Sequence, residues 1–270
     1  MSFRLTEPQL CGSRRSEPLN RPSGESWSAS ALATSADAAL AHPLGASQVR
    51  EARQLARLGQ LARERTGVEF PGHKLPMIAA RLLPRLRELG LGSFAEYLDR
   101  LDDAEAEVLV DRLTTHETSF FRDPEQLRSL AALLRERFAT APRVRAWSAA
   151  CSTGEEAWTV GMLLSTCCQD SPRTQLSVVG TDISLGSLKT AARADYELAR
   201  AREIPLPYLK RFMLRGTGDN RERMRVAAEL RSRTEFYRES LLADSLGLGP
   251  FELVLLRNVL MYFARETRRT

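Results

Sequence analysis

The chain has 270 residues, of which 43% are hydrophobic and 27% are charged, with a formal net charge of +5. This composition is typical of a folded soluble protein, and the length suits one medium domain plus a small one. Nowhere do about 18 apolar residues follow one another, so the sequence excludes a membrane-spanning helix. The first ten residues lack the apolar core of a secretion signal, and we expect a cytoplasmic protein that does not insert into membranes.

Basic charge and thiols narrow the chemistry only slightly. The excess of arginine allows an anionic partner, whether nucleic acid, a membrane surface or an acidic protein face, and does not choose among them. The four cysteines and three histidines are Cys11, Cys151, Cys167, Cys168, His42, His73 and His116. Because their spacing matches no ligand pattern, the sequence predicts reduced thiols and no bound metal.

Residues 1–47 form the first distinct segment. They are rich in Ser, Ala, Pro and Gly and contain few β-branched or aromatic residues. Such a stretch cannot bury enough apolar surface to offset the entropy lost on ordering. We therefore predict a disordered extension that precedes the folded domains.

Helical periodicity recurs in four segments, which predicts a small all-α domain over residues 48–115. The second segment, Leu75–Leu89, contains Pro84, which we expect to kink or split the helix. Ser93 followed by Glu96 forms a capping box that predicts the start of the third helix. The polar faces of these helices carry Arg53, Arg57, Arg63, Arg81, Arg85 and Arg87.

Residues 116–270 follow a different pattern, in which strands alternate with helices. Strands are predicted at 143–149, 175–181 and 251–256, and helices at 124–138, 155–168 and 185–193. This alternation is typical of an α/β domain with a mostly parallel sheet. The weaker pattern at about 205–241 contains the turn sequence GTGDN and favours a small antiparallel hairpin.

Small residues fill positions 149–154, between the first strand and the next helix. A helix start reached by such a turn is where nucleotide-binding α/β folds hold a ligand. Asp182 ends the second strand, where a carboxylate can accept hydrogen bonds from ribose hydroxyls, although such an Asp is more often a plain helix N-cap. Glu155 and Glu156 would repel phosphates, so the pattern favours a nucleoside with a positively charged group.

Several segments resemble, in order, the chemoreceptor glutamate methyltransferases of the CheR type. They are LTTHETSFFRD from residue 113, RAWSAACSTGEEAW from 145, VVGTDIS from 178 and FELVLLRNVLMYF from 251. The resemblance covers about residues 49–270. It implies a Rossmann-like methyltransferase domain with a small antiparallel β-subdomain inserted in it at about 205–241. It also implies that this domain binds S-adenosyl-L-methionine and releases S-adenosyl-L-homocysteine. It implies methyl transfer to glutamate side chains on the cytoplasmic domain of methyl-accepting chemotaxis receptors. We expect no nucleic acid partner, and a monomer if the chain is complete.

The resemblance also assigns site residues, position by position along these motifs. The cofactor contacts it implies are His116, Thr118, Arg122, Gly154, Glu156, Asp182, Ser240, Leu241, Arg257 and Asn258. Two of them depart from the family pattern, which has Asn at the position of His116 and usually Asn at that of Ser240. Both replacements can still form hydrogen bonds, with a different reach.

The implied chemistry needs positioning more than proton transfer. A glutamate carboxylate has a reference pKa of about 4.3, so it is already ionised at neutral pH and needs no general base. Arg122 is a candidate for holding a carboxylate, either of the substrate glutamate or of the methionine moiety. The resemblance places Tyr262 near the methyl group; from the residues alone, Tyr262 would be a core aromatic.

The basic second helix has two interpretations as well. Under the resemblance, its arginines offer a surface complementary to the glutamates of a receptor helix. Without the resemblance, they would be an ordinary solvated face.

Two other function classes stand beside the enzyme. A nucleic-acid methyltransferase would share the fold and the basic charge, but it would need a motif such as Asn-Pro-Pro-Tyr or a catalytic Cys, which the sequence lacks. A degenerate, non-catalytic homologue that serves as a receptor-binding scaffold would fit the two departures at His116 and Ser240.

The position of the last residue adds an expectation about stability. Thr270 lies a few residues past the LLRNVLMYF segment, whereas family members continue by several tens of residues. The strand at 251–256 would then have an open edge. We expect a 270-residue chain with such an edge to be marginally stable and prone to associate.

Overall fold

The computed structural model describes residues 45–168, 174–243, 247–265 and 267–269. The chain divides between Leu113 and Thr114 into two compact units. Of the predicted extension, residues 1–44 lie outside the described part, and Ala46 already begins the first helix.

The first unit is all helical over its described residues. It comprises α1 (Ala46–Thr66), a 3-10 turn (Gly72–Lys74), α2 (Leu75–Leu89), α3 (Phe94–Asp99) and α4 (Asp103–Leu113). Ser93 caps α3 by accepting a hydrogen bond from the Glu96 N–H, as its sequence predicts. Pro84 lies inside α2, which continues past it, so the helix is not split. The core of the unit includes Leu58, Ile78, Leu82, Tyr97 and Leu109, all fully buried.

Acidic side chains neutralise part of the predicted basic face of α2. Arg85 Nη2 lies 2.6 Å from Glu105 Oε2, and Arg85 Nη1 lies 3.1 Å from Glu88 Oε2. Arg112 approaches Glu88 within 2.9 Å. The hydrogen bond from Arg85 holds the pKa of Glu105 below its usual value. The basic surface on this helix is therefore narrower than the count of arginines indicates.

The second unit is an α/β fold with two sheets. Its helices are α5 (Pro124–Phe138), α6 (Glu155–Cys167), α7 (Leu185–Arg193), α8 (Leu206–Phe212) and α9 (Ala228–Arg231). Its strands are β1 (Arg143–Ala149), β2 (Gln175–Asp182), β3 (Asp195–Glu197), β4 (Met213–Arg215), β5 (Arg223–Val226), β6 (Thr234–Arg238) and β7 (Leu253–Leu256). Short 3-10 turns cover Leu198–Glu203, Gly218–Asn220, Leu260–Tyr262 and Thr267–Arg269.

The larger sheet has the strand order β6-β2-β1-β7, and every pair in it is parallel. In the register, Ala149 lies beside both Thr181 and Leu256, and Asp182 lies beside Arg238. The carboxyl ends of all four strands therefore meet at one edge. Helix α6 packs on this sheet, and its central residues are buried almost all round. The predicted α/β fold, with an all-α domain and a small antiparallel sheet, is confirmed.

The smaller sheet is antiparallel, with the order β3-β5-β4. It does not coincide with the predicted interval 205–241. Its first strand, Asp195–Glu197, comes earlier, and at three residues it is too short for a periodic pattern. Conversely, Thr234–Arg238 lies inside that interval but pairs with β2 in the larger sheet, starting at Val178 beside Thr234.

The last strand of the larger sheet is also shorter than predicted, because it begins at Leu253 and not at residue 251. Phe251 instead stacks on Trp147, with 5.6 Å between the ring centroids. Trp147 is only partly buried, and its indole N–H donates to Thr181 Oγ1 at 3.0 Å.

Gly180 lies in β2, next to Phe236 of β6 and Cys151 of the loop after β1. A Cβ at this position would lie 2.6 Å from two ring carbons of Phe236 and 3.0 Å from Cys151 Sγ. We expect Gly180→Ala to lower the free energy of unfolding by about 1–3 kcal/mol through overpacking. Urea denaturation followed by circular dichroism measures this change.

Gly161→Ala is the matched control, since a Cβ there meets Leu230 and Val178 only at 3.6 and 3.8 Å, in ordinary contact. Alanine inside α6 should be neutral or should stabilise by up to about 1 kcal/mol. Equal destabilisation by the two substitutions would contradict the packing described for Gly180.

Candidate functional site

The loop after β1 makes a tight turn at the carboxyl edge of the larger sheet. Its backbone is held to β2 by the Cys151 N–H, which donates to the Thr181 carbonyl at 2.8 Å. Ala150, Ser152 and Gly154 all have positive φ, at 58°, 51° and 94°. For residues other than glycine, this conformation costs free energy and persists only where the surroundings impose it.

Gly154 is required by the close approach of a neighbouring helix. A Cβ on Gly154 would lie 2.7 Å from the Cβ of Ala191 in α7. Glycine therefore lets the loop and the start of α6 sit directly against α7.

Asp182 joins this loop to the turn that follows β2. Its Oδ2 accepts a hydrogen bond from the Ser152 N–H at 2.8 Å, and its Oδ1 accepts one from the Ser184 N–H at 2.9 Å. The residue is 8% exposed, and burial raises its pKa, although the two N–H donors oppose the shift. The N-cap of α7 is Ser184, which accepts from the Ser187 N–H at 3.0 Å. The alternative interpretation of Asp182 as a helix N-cap is therefore wrong.

His116 ties its own segment to the same place. Ring atom Nδ1 lies 3.0 Å from Ser187 Oγ, and Nε2 lies 3.0 Å from Thr114 Oγ1, with donor and acceptor set by the tautomer. The His116 carbonyl accepts a hydrogen bond from Ser152 Oγ at 3.1 Å. Ser152 thus contacts both Asp182 and His116 and connects three segments of the site.

Arg257, which directly follows β7, makes the second connection. Its Nη1 lies 3.2 Å from Glu156 Oε2, and its Nη2 donates to the Arg122 carbonyl at 2.8 Å and to Asp123 Oδ2 at 2.9 Å. The other Glu156 oxygen accepts from Ser148 Oγ at 2.7 Å. Burial raises the pKa of Glu156, and Ser148 and Arg257 counteract this effect. Asp123, whose residue type favours a side-chain cap on α5, has φ 56° and pairs with Arg257 instead.

The remaining predicted cofactor contacts lie at the carboxyl edge of the larger sheet or on the segment that begins at His116. Arg122 Nη1 donates to the Glu117 carbonyl at 2.8 Å. Thr118 offers its carbonyl to Arg200 Nη2 at 2.6 Å. These two residues belong to the segment that begins at His116, so their backbone is fixed at both ends.

Ser240 and Leu241 follow β6, where the Glu239 N–H donates to the Asp182 carbonyl at 3.2 Å. Ser240 Oγ accepts from the Leu242 N–H at 3.2 Å. Asn258, two residues past β7, has a positive φ of 56°. Asparagine tolerates this conformation better than most residues.

Tyr262 lies outside the hydrogen-bonded cluster. It ends the 3-10 turn Leu260–Tyr262, four residues after Asn258, and it is partly buried. Its neighbours Leu260 and Met261 are exposed.

Glu155 faces away from the predicted ligand position. It is fully buried, accepts from Thr153 Oγ1 at 2.6 Å and forms an ion pair with Arg200. The expectation that both Glu155 and Glu156 present carboxylates to a ligand is therefore wrong for Glu155. Sequence reasoning also missed Ser187 and Arg200, whose partners lie too far along the chain to form a motif.

The carboxylates suit a nucleoside that carries a positive group. Both Asp182 oxygens accept backbone N–H groups, and a carboxylate has further lone pairs for a hydroxyl. Glu156 adds a second, partly buried carboxylate at the start of α6. Among the described residues, no three His, Cys, Asp or Glu side chains group as a metal site requires. In the same part of the chain, no helix is long and apolar enough to cross a membrane.

Two family models match the chain, one for each unit. The model of the CheR methyltransferase SAM binding domain matches residues 116–270, and that of the CheR methyltransferase all-alpha domain matches residues 53–114. Together they span the site at the sheet edge and the helical unit before it.

Individual relatives agree with the family models. A Pseudomonas aeruginosa protein named chemotaxis protein methyltransferase 2 is 39% identical over 218 residues, 77% of this chain and 77% of that protein. Proteins named chemotaxis protein methyltransferase from Salmonella typhimurium and Escherichia coli are 35% and 34% identical, over 78% and 79% of this chain. They are covered to 74% and 75% of their own lengths. Because the two family models together match most of the chain, the chain belongs to the CheR methyltransferase family.

Proposed function

We propose that this protein transfers a methyl group from S-adenosyl-L-methionine to glutamate side chains on the cytoplasmic domain of chemotaxis receptors. The observation that carries the proposal is the partly buried cluster at the sheet edge, in which Ser152 joins Asp182 to His116 and Arg257 joins Glu156 to Arg122. The names of the relatives, chemotaxis protein methyltransferase, support the same process.

The cofactor would lie across the carboxyl ends of β1, β2, β6 and β7. Asp182 would accept hydrogen bonds from the ribose hydroxyls, and the turn at Gly154 would let the ligand approach the backbone. The contacts would be completed by His116, Thr118, Arg122, Glu156, Ser240, Leu241, Arg257 and Asn258. When bound, S-adenosyl-L-methionine supplies a methyl group on a positively charged sulfur, which a carboxylate can attack directly.

The protein's own residues would then supply alignment. A substrate glutamate is ionised at neutral pH, with a reference pKa of about 4.3, so the site needs no general base. The planar guanidinium of Arg122 can hold a carboxylate through two N–H donors. The hydroxyl of Tyr262 would orient the attacking oxygen. Alignment and partial desolvation of the two reactants would account for most of the rate acceleration.

The same proposal implies an acidic surface on the receptor partner and a cytoplasmic location for this protein. A receptor segment rich in glutamate would meet the arginines of the helical unit. This would take place in the cytoplasm, and nucleic acid would have no part in it. A scaffold without activity would keep this surface and lose the cofactor, so cofactor binding separates the two functions.

Cofactor affinity should depend on pH through Asp182. Because burial raises its pKa above the ordinary 3.8, protonation begins at a higher pH than for an exposed aspartate. Protonation removes an acceptor for the ribose hydroxyls, so affinity for S-adenosyl-L-homocysteine should fall as the pH drops toward that raised pKa. Calorimetric titration at a series of pH values measures this. Asp182→Ala should weaken binding at neutral pH by about 1–3 kcal/mol.

Two variants separate Asp182 from the histidine beside it. Asp182→Asn should bind more weakly and lose the pH dependence. His116→Asn, which restores the residue type typical of the family, should retain it. A pH-independent affinity in the unaltered protein, or an unchanged slope in Asp182→Asn, would remove Asp182 from the site.

Arg122→Lys tests the catalytic assignment. A point charge cannot replace the planar guanidinium, so we expect methyl transfer to fall by about ten-fold or more, while the fold persists. The assay follows tritiated methyl groups from the cofactor onto receptor-containing membranes.

Arg128→Lys is the control, since Arg128 is exposed on α5 and pairs only loosely with Glu125 at 3.5 Å. It should leave the rate unchanged. Near-normal turnover by Arg122→Lys would exclude Arg122 from catalysis. Absence of both S-adenosyl-L-homocysteine binding and methyl transfer in the unaltered protein would contradict the proposed enzyme and favour the scaffold.

A further inference from the structure

Arg200 reaches from the small sheet to the segment that carries the first cofactor contacts. It lies in the 3-10 turn Leu198–Glu203, which directly follows β3. Its Nη2 donates to the Thr118 carbonyl at 2.6 Å, although the two residues are 82 positions apart. Arg200 Nη1 lies 2.5 Å from Glu155 Oε1, and the two side chains form an ion pair whose geometry is not that of a hydrogen bond.

Glu203 completes the connection on the same turn. Its Oε1 lies 3.3 Å from Arg200 Nε, and its Oε2 accepts a hydrogen bond from the Phe120 N–H at 3.0 Å. Thr118 and Phe120 are therefore both held by one arginine–glutamate pair. Two backbone groups fixed this way restrict the backbone dihedrals between them, and with them the direction of the Thr118 side chain.

Glu155 explains why an arginine stands at position 200. The Glu155 side chain is fully buried, and burial raises its pKa, while Thr153 and the positive charge of Arg200 act in the opposite direction. A buried carboxylate without a counter-ion costs several kcal/mol or takes up a proton, by order of magnitude. Arg200 thus compensates this charge with one nitrogen and uses another to hold the Thr118 carbonyl.

The small sheet packs against the same segment independently of charge. Tyr196 in β3 donates its hydroxyl to the Thr153 carbonyl at 2.7 Å. Its ring meets that of Phe120 edge to face, with centroids 5.0 Å apart. Phe120 is 2% exposed, so its ring fixes the middle of the segment while Arg200 and Glu203 fix its backbone.

We propose that Arg200 is a positioning residue for cofactor binding. It fixes Thr118–Phe120 to the first residue of α6, so that the inserted small sheet sets the shape of the cofactor site. The proposal rests on the proposed function in one respect, namely that Thr118 contacts the cofactor.

Arg200→Lys isolates the positioning role from charge compensation. A lysine keeps a positive charge for Glu155, but its single nitrogen cannot also donate to the Thr118 carbonyl and to Glu203. The matched control is Arg202→Lys, because Arg202 is exposed on the same 3-10 turn. Both variants are made in the full chain, and thermal melting establishes that each is folded.

Three readouts follow. In Arg200→Lys we expect the Kd for S-adenosyl-L-homocysteine and the KM for the methyl donor to rise about ten-fold, the loss typical of one charge-assisted hydrogen bond. The kcat should change by less than about two-fold, because Arg257 and not Arg200 holds the backbone at Arg122. Amide hydrogen exchange in a peptide that covers residues 116–122 should accelerate. Arg202→Lys should match the unaltered protein in all three.

Unchanged affinity and exchange in Arg200→Lys, or equal losses in Arg202→Lys, would overturn the positioning role. If Arg200→Lys does not fold, Glu203→Ala decides the question, because it releases the Phe120 N–H from a residue that is 24% exposed. Faster exchange at 116–122 in that variant supports the role, and unchanged exchange overturns it. Faster exchange together with no ligand binding by the unaltered protein would overturn the proposed function, and with it the role in cofactor binding, while Arg200 would still be shown to fix residues 116–122.

Discussion

The carboxylate of Asp182 is the interaction on which the geometry of the site depends. It is buried at the end of β2 and receives one N–H from the loop after β1 and one from the turn before α7. A buried charge is stable only with such partners, and the partners are in turn held in place by it. The positive φ of Ser152 persists because its N–H is fixed on Asp182 and its hydroxyl on the carbonyl of His116.

Two arginines from distant parts of the chain hold the segment that begins at His116. Arg257 comes from the end of β7 and binds one end of it, while Arg200 comes from the small sheet and binds the middle. Each arginine also compensates a glutamate at the start of α6, Glu156 and Glu155 respectively. The same two arginines therefore stabilise the start of α6 and shape the segment that begins at His116.

The fold prediction was correct where neighbouring residues determine the structure, and it was wrong where residues far apart in the chain pair with each other. The capping pair Ser93 and Glu96 and the helix Leu75–Leu89 are encoded by neighbouring residues, and both were predicted correctly. The direction of the Glu155 side chain was not predicted correctly, because its partner Arg200 lies 45 residues further along the chain. The set of site residues came from family motifs, since no local pattern distinguishes a carboxylate that faces a ligand from one that faces an arginine.

The position of β1 in the larger sheet has a consequence for synthesis on the ribosome. Its neighbour on one side, β2, follows soon after it, but the other neighbour, β7, brings a contact between Arg145 and Glu252 that spans 107 residues. At typical translation rates, about 5–20 s pass between the emergence of these two residues. During that interval one edge of β1 has no strand to pair with, and Glu156 and Asp123 have not yet met Arg257. The nascent chain thus exposes an unpaired strand edge beside carboxylates that still lack their arginine partner, and chaperones bind exposed, unpaired surfaces of this kind.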